Sequence, residues 1–302
     1  MKKLKVAILG AGNIGKFHVR EFKNAGCEVV AILGSSAKSV EKTAEELYNM
    51  FCVEVKQYHN LTRLLKNEKP DVVSICTPSE MHSKQIKQCL EYDLHILCEK
   101  PLVFDSKYKN YKIAQDLIKT SKKRKKVLTV NTQWPSVLDK LNLKYKKINS
   151  FTMYMEPPGF GETTIISESV PHMNSMLIKL TNSREATDFR FYKSEEDLKI
   201  KFNYKNNNNI CKVIYYIKPK QERPRKINFS INGQEYRREV TRENRHFIVS
   251  KNMKLEIEDP LKVSIRKFIE AIHGGEPLIS ETELLENIKL QDIILKKFYS
   301  QT

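Results

Sequence analysis

The chain has 302 residues, a net charge of +17 from 53 Lys and Arg against 36 Asp and Glu, and 40% hydrophobic residues. That length predicts about two domains, each able to bury a core. No apolar run approaches a membrane span, and Val6 to Leu9 is too short for a signal-peptide core, so the expectation is a cytoplasmic protein with no membrane partner.

The first element is an apolar strand, Lys5 to Leu9, followed at once by Gly10-Ala-Gly12-Asn13-Ile14-Gly15 and a helix over Lys16 to Ala25. Strand, glycines and helix in that order predict a dinucleotide cradle. Gly10 permits the tight turn, Gly12 lets a diphosphate approach the backbone, and Gly15 lets helix and strand pack closely. Ile14, Phe17, Val19 and Phe22 recur as one face of the helix, and Asn13 and Ile14 join the glycines as cofactor-binding residues where the helix's N-terminal N–H groups face the phosphates. A second strand, Glu28 to Leu33, ends in Gly34-Ser35-Ser36, and a polar helix runs from Ser39 to Met50. A carboxylate at the end of the second strand accepts hydrogen bonds from the ribose and repels a 2′-phosphate. Gly34 stands there instead, with Ser35, Ser36 and Lys38 beside it, which favours NADP(H) over NAD(H).

A short strand at Val53 to Lys56, a helix at Leu61 to Lys66 and a strand at Asp71 to Cys76 follow. Thr77-Pro78-Ser79 closes that strand and caps a helix from Glu80 to Tyr92. Leu94 to Cys98 is a fifth strand ending in Glu99-Lys100-Pro101; a helix from Ser106 to Lys119 and a strand at Val127 to Val130 complete the series. Strands alternating with helices at this spacing predict an α/β domain over residues 1–130, built on a doubly wound parallel sheet. The glycine loop, Thr77-Pro78 and Glu99-Lys100-Pro101 all fall at carboxyl ends of strands, where such sheets bind ligands.

Residues 131–302 read as a second, α+β domain with an open, mainly antiparallel sheet. Its strands are expected at Phe151–Met155, Phe189–Tyr192, Leu198–Phe202, Cys211–Ile217, Ile227–Ile231, Phe247–Val249 and Met253–Ile257, with a hairpin tip at Asn206–Asn209. The stretch from Glu156 to Glu162, rich in Pro and Gly, reads either as a loop over the site or as a plain connector. Two helices close the chain, on Leu261, Ile265, Phe268, Ile272 and on Leu284, Ile288, Leu295, Phe298. The six cysteines contain no C-x-x-C pair and read as reduced packing residues. His59, His95, His246 and His273 show no metal-ligand spacing, so no metal is expected. The dense run Lys122 to Lys126 reads as a solvated connector; no motif points to nucleic acid, and an anionic small molecule is the other use of the charge.

The sequence resembles the Gfo/Idh/MocA family of nicotinamide-dependent oxidoreductases. The motifs that carry the likeness are Gly10 to Gly15 with His18 after it, Thr77-Pro-Ser-Glu-Met-His82, and Leu97-Cys-Glu99-Lys100-Pro101-Leu102. The likeness implies an N-terminal Rossmann domain and a C-terminal domain for substrate binding and oligomerisation, a dimer or tetramer. It places Lys100 near nicotinamide and substrate, where an ammonium stabilises charge developing on the reacting heteroatom, and it implies a cis bond before Pro101. It places Thr77, Pro78, His82, Glu99 and Pro101 around the cofactor. An acid followed four residues later by a helix-opening histidine is matched by Glu168 and His172, with His172 as general acid/base and Glu168 either orienting it or binding a substrate hydroxyl. The implied activity is hydride transfer between NAD(P) and a carbonyl, imine or secondary alcohol of a small, polar, sugar-like substrate. Two alternatives stand beside it: a glycoside hydrolase that retains its cofactor, and a non-catalytic nicotinamide sensor.

Overall fold

The computed structural model describes residues 3–105, 109–159, 161–182, 184–206 and 209–301. They divide into two compact units, residues 1–106, 112–131 and 261–281, and residues 107–111, 132–260 and 282–302.

The first unit is a parallel sheet of β1 (Lys5–Leu9), β2 (Glu28–Leu33), β3 (Lys56–Tyr58), β4 (Val72–Ile75), β5 (His95–Glu99) and β6 (Leu128–Asn131), in the order β3-β2-β1-β4-β5-β6. Each strand is followed by a helix in the chain: α1 (Asn13–Asn24), α2 (Ala37–Phe51), α3 (Leu61–Glu68), α4 (Ser79–Glu91) and α5 (Asn110–Lys123) intervene in turn. The order reverses between β1 and β4, which opens a crevice at their carboxyl ends. The central strands are buried on both faces, so Val6, Ala7, Ile8, Val72 and Val73 need no polar alternation.

Several boundaries differ from those the sequence predicts. The strand expected at Val53 to Lys56 forms at Lys56–Tyr58, in register with Ala31 to Leu33. Cys52 takes a left-handed conformation at the end of α2, and Val53 then packs into the core without pairing. Of the helix expected from Ser106, the described part starts at Asn110; Ser106 lies outside the described residues. On α1 the buried side is Gly15, His18, Val19 and Phe22, and Ile14 faces outward at 37% exposure.

The closing helix α8 (Pro260–Ile272) belongs to the first unit, although the sequence assigns everything after residue 130 to the second. The reason is packing. Leu261, Ile265 and Phe268 share a core with Val19 and Phe22, and the Phe22 and Phe268 rings meet edge to face at 6.3 Å.

The second unit holds α6 (Pro135–Lys140), β7 (Ser150–Met155), α7 (Glu162–Thr181), β8 (Glu185–Lys193), β9 (Leu198–Asn206), β10 (Asn209–Ile217), β11 (Ile227–Ile231), β12 (Gln234–Val240), β13 (His246–Ser250), β14 (Met253–Ile257) and α9 (Glu281–Gln301). Its sheet runs β14-β13-β12-β11-β7-β10-β9-β8, antiparallel except where β10 lies parallel to β7. One face carries Phe151, Met153, Phe202 and Tyr215 into a core with Val170, Met173 and Leu177 of α7 and with Ile294 and Phe298 of α9. The other face presents Thr152, Tyr154, Ile214 and Tyr216, each partly exposed. Asn207 and Asn208, at the expected hairpin tip, lie outside the described residues; the strands flanking them pair from Asn206 and Asn209. Phe160, in the expected loop, is also outside them. The loop's other end is stitched down, because Glu156 accepts from the Lys226 N–H at 2.8 Å and the Tyr154 hydroxyl at 2.7 Å.

Candidate active site

The glycine loop is held by contacts that tolerate no side chain at two of its positions. Gly10 has φ +88°, and a Cβ there would lie 2.6 Å from the Cys76 carbonyl and the Thr77 nitrogen. A Cβ on Gly15 would meet the Gly10 carbonyl oxygen. Gly12 differs, since nothing lies within 4 Å of the Cβ it lacks. Gly12, Asn13 and Ile14 therefore form an exposed crest at the start of α1. No side chain caps that helix and its first turn has no acid. Its first N–H groups and its positive dipole end are thus directed outward, ready for an anion. The site fits a dinucleotide diphosphate.

After β2, the chain turns directly into α2. A Cβ on Gly34 would sit 2.9 Å from the Val40 Cβ, so the close approach of helix to strand excludes a side chain at the ribose position. Ser36 is the N-cap: its hydroxyl accepts from the Ser39 N–H, and the Ser39 hydroxyl accepts from the Ser36 N–H. Ser39 is a residue the sequence reading missed, because Ser replaces the Glu or Gln usual in a capping box. The cap commits Ser36 to the helix. Ser35 and Lys38 are exposed, and the Ala37 and Lys38 N–H groups are first-turn donors without intrahelical acceptors.

At the neighbouring strand ends the expected residues separate into two kinds. Pro78 is the N-cap of α4 and no side chain caps that helix; the Thr77 hydroxyl instead donates to Gln85 Oε1 at 2.6 Å. Glu99 is buried, 3.0 Å from His18 Nε2 and 2.5 Å from Asn131 Nδ2. The other His18 nitrogen, Nδ1, lies 2.8 Å from the Ser74 hydroxyl. Burial disfavours charge on both partners, yet the groups around each outweigh it. The Cys76 sulfur and the Glu99 carboxylate beside His18 raise its pKa to about 10, and His18, Lys100 and Asn131 lower that of Glu99 to about 2. His18 and Glu99 thus form a buried ion pair. Asn131 and Ser74 carried no signal in the sequence, being 32 and 25 positions from Glu99. Lys100 is half-buried at the carboxyl end of β5, and its bond to the buried Pro101 is cis. His82 is buried with both ring nitrogens on carbonyl oxygens, those of Pro101 at 2.7 Å and Thr77 at 2.8 Å.

In the second unit Glu168 and His172 lie on α7, four residues apart and so on one face. His172 does not open this helix, as the sequence predicts. The helix starts at Glu162 and continues through Pro171. A buried neutral network braces that point. Asn287 Nδ2 donates to the Pro171 carbonyl at 2.7 Å, Asn174 Nδ2 to the Asn287 carbonyl at 3.2 Å, and the Tyr215 hydroxyl to Asn174 Oδ1 at 3.0 Å. His172 is 7% exposed and Glu168 is half-buried. Among the described residues no group of three or more His, Cys, Asp or Glu is placed to hold a metal ion, and no helix is long and apolar enough to cross a membrane.

Comparison with known proteins bears on both units. Residues 4–132 match the GFO_IDH_MocA family model, an oxidoreductase family with an NAD-binding Rossmann fold. D-glucoside 3-dehydrogenase of Escherichia coli is 30% identical over 148 residues, which are 48% of this chain and 39% of that protein. Inositol 2-dehydrogenase of Salmonella typhimurium is 32% identical over 101 residues, 33% of this chain and 29% of that protein. The chain therefore spans well under half the length of these two relatives. A probable dehydrogenase from Thermotoga maritima superposes with a TM-score of 0.75 at 15% identity, covering 99% of this chain and 98% of that one. UDP-N-acetylglucosamine 3-dehydrogenase of Acidithiobacillus ferrooxidans gives 0.72 at 17% identity, covering 96% of each. These two likenesses establish the fold across nearly the whole chain.

Proposed function

We propose that this chain, whose residues 4–132 belong to the Gfo/Idh/MocA oxidoreductase family, is an NAD(P)-dependent dehydrogenase or reductase of a small, polar, sugar-like molecule. The observation that carries the reading is the crest at Gly12-Asn13-Ile14, open where Gly12 lacks a side chain and backed by uncapped helix N–H groups, with Lys100 two strands away along the same sheet edge. A bound nicotinamide supplies the hydride acceptor or donor. The chain's own residues do the rest. Lys100 stabilises negative charge on the substrate oxygen or nitrogen. His172 takes or returns the substrate's proton, and Glu168, one helical turn before it, orients the imidazole. Thr77, Pro78 and Pro101 wall the cofactor.

The cofactor is NADP(H) in preference to NAD(H). Gly34 leaves no room for a ribose carboxylate, and the exposed Ser35 hydroxyl, the Lys38 ammonium and the α2 N-terminus offer a 2′-phosphate donors and positive charge. The relatives are named for a glucoside and inositol, which supports a polyol or sugar substrate, and the net charge of +17 suits an anionic derivative. Cytoplasmic location and a homo-oligomer formed on the open face of the second sheet complete the proposal. The hydrolase and sensor alternatives gain no support from relatives named as dehydrogenases.

Titration with NADPH and NADH, followed by nicotinamide fluorescence, tests the cofactor reading. A preference for NADPH of about tenfold, roughly 1.4 kcal/mol, is the expected result; preference for NADH removes the assignment of Gly34, Ser35 and Lys38. Incubation of the NADP-loaded protein with inositols, glucosides and UDP-linked hexosamines then tests turnover. Net formation of reduced nicotinamide with one of them is expected, and binding without any turnover would overturn the enzymatic reading.

A further inference from the structure

Lys100 is flanked by two residues, and a buried histidine grips each of them. On its N-terminal side His18 of α1 bridges Ser74 of β4 and Glu99 of β5. On its C-terminal side His82 of α4 bridges the Thr77 carbonyl, just past β4, and the Pro101 carbonyl, just past β5. The same two strand ends are thus tied together twice, once before Lys100 and once after it. Carbonyl oxygens only accept, so a ring N–H of His82 donates to one of them, and with a carbonyl oxygen against each nitrogen neither remains for a ligand. That removes His82 from the cofactor contacts that its place in the motif implies.

We propose that His82 is a positioning residue: it fixes the backbone from which Lys100 reaches the reacting atoms. The proposal rests on the assignment of Lys100 given above. A lysine needs such help. Its four-carbon stem is flexible, so the place of the ammonium is only as definite as the Cα and the direction in which the stem leaves it. Residues that hold a reacting group from behind decide whether it meets its target, and misplacement by about 1 Å costs on the order of a hundredfold in rate. The His18–Glu99 pair anchors the strand end. His82 adds the anchor beyond the proline, where the backbone has left the sheet and no ladder hydrogen bond holds it.

The test reads Lys100 itself and needs no substrate. Trace acetylation with acetic anhydride, scored by peptide mass spectrometry, gives the reactivity of Lys100 relative to the exposed Lys112. His82→Phe keeps a ring of similar volume and removes the polar contacts to both carbonyls; His82→Ala opens room for water to satisfy the two carbonyls, so that one of them folds if the other does not. In the folded variant, Lys100 reactivity is expected to change by about threefold or more, the effect of a hydrogen bond at the weak end of its usual worth. His82→Gln, which keeps N–H donors, is expected to return it towards the wild-type value, a rescue that loss of packing alone does not produce. Reactivity within about threefold of wild type in the folded Phe or Ala variant would overturn the proposal. Lys100→Met separates it from the reading beneath. If that variant keeps full turnover, the assignment of Lys100 fails; if it loses turnover while the His82 variants leave Lys100 reactivity unmoved, only the positioning role fails.

Discussion

Each unit of this protein buries a polar network behind its candidate catalytic residue, and the two are chemically unlike. Behind Lys100 lies an ion pair, His18 with Glu99, extended by Ser74 and Asn131. Near His172 lies a neutral set, Asn174, Asn287 and Tyr215, that braces the helix at Pro171. Ionic networks hold geometry strongly but depend on both charges being present; amide and hydroxyl networks hold it more weakly and are indifferent to pH across the physiological range. One network therefore answers to protons where the other does not.

The largest effect should come from breaking the ion pair. Glu99→Leu removes the buried carboxylate that His18 and Asn131 both bond to, and a loss of about 3–5 kcal/mol in stability is expected on chemical denaturation. Asn174→Leu is the matched test in the second unit. It leaves the Tyr215 hydroxyl and the Asn287 carbonyl each short of a partner in the core, and about 1–3 kcal/mol should be lost. Equal losses in the two variants would erase the contrast.

Dependence on pH sharpens it. The His18 pKa is raised to about 10 from an ordinary 6.5, so its contribution is complete below pH 6.5 and disappears as pH rises through 10. The Glu99 pKa is lowered to about 2 from 4.5, so its contribution is complete above 4.5 and disappears as pH falls through 2. Stability measured from pH 6.5 to 10 should decline in the wild type and in Asn174→Leu alike, and more shallowly in His18→Gln. A wild-type slope unchanged by His18→Gln would show that other groups carry it. The smallest effect belongs to the surface. Lys38→Ala should weaken NADPH binding by about 0.3–1 kcal/mol and leave NADH binding alone, since an exposed charge acts through solvent.

Much of the first unit was readable because its signals are local. The buried strands are continuous apolar runs, and Gly10 and Gly15 mark positions where a Cβ has no room. The second unit hid more. Strand β12 was missed because Arg237, Arg238 and Glu239 interrupt its pattern and Tyr236 is its one buried side chain. Helix α6 is only six residues, too short to show a period. The start of α7 was obscured by Pro171, which a helix of 20 residues tolerates when its neighbours are well bonded. Within the site, Lys100 and the glycine loop were visible in motifs. The pairing of His18 with Glu99 was not, because the two are separated by 81 positions and only the order of β1, β4 and β5 brings them together.

The return of α8 to the first unit has a consequence for how the protein is made. All six parallel strands have been synthesised by Asn131, yet Leu261, Ile265 and Phe268, which cover Val19 and Phe22, are translated more than a hundred residues later. At about 5–20 residues per second, the nascent sheet waits several seconds or more with that apolar side bare. During that interval the growing chain offers a chaperone a surface that the finished protein no longer has.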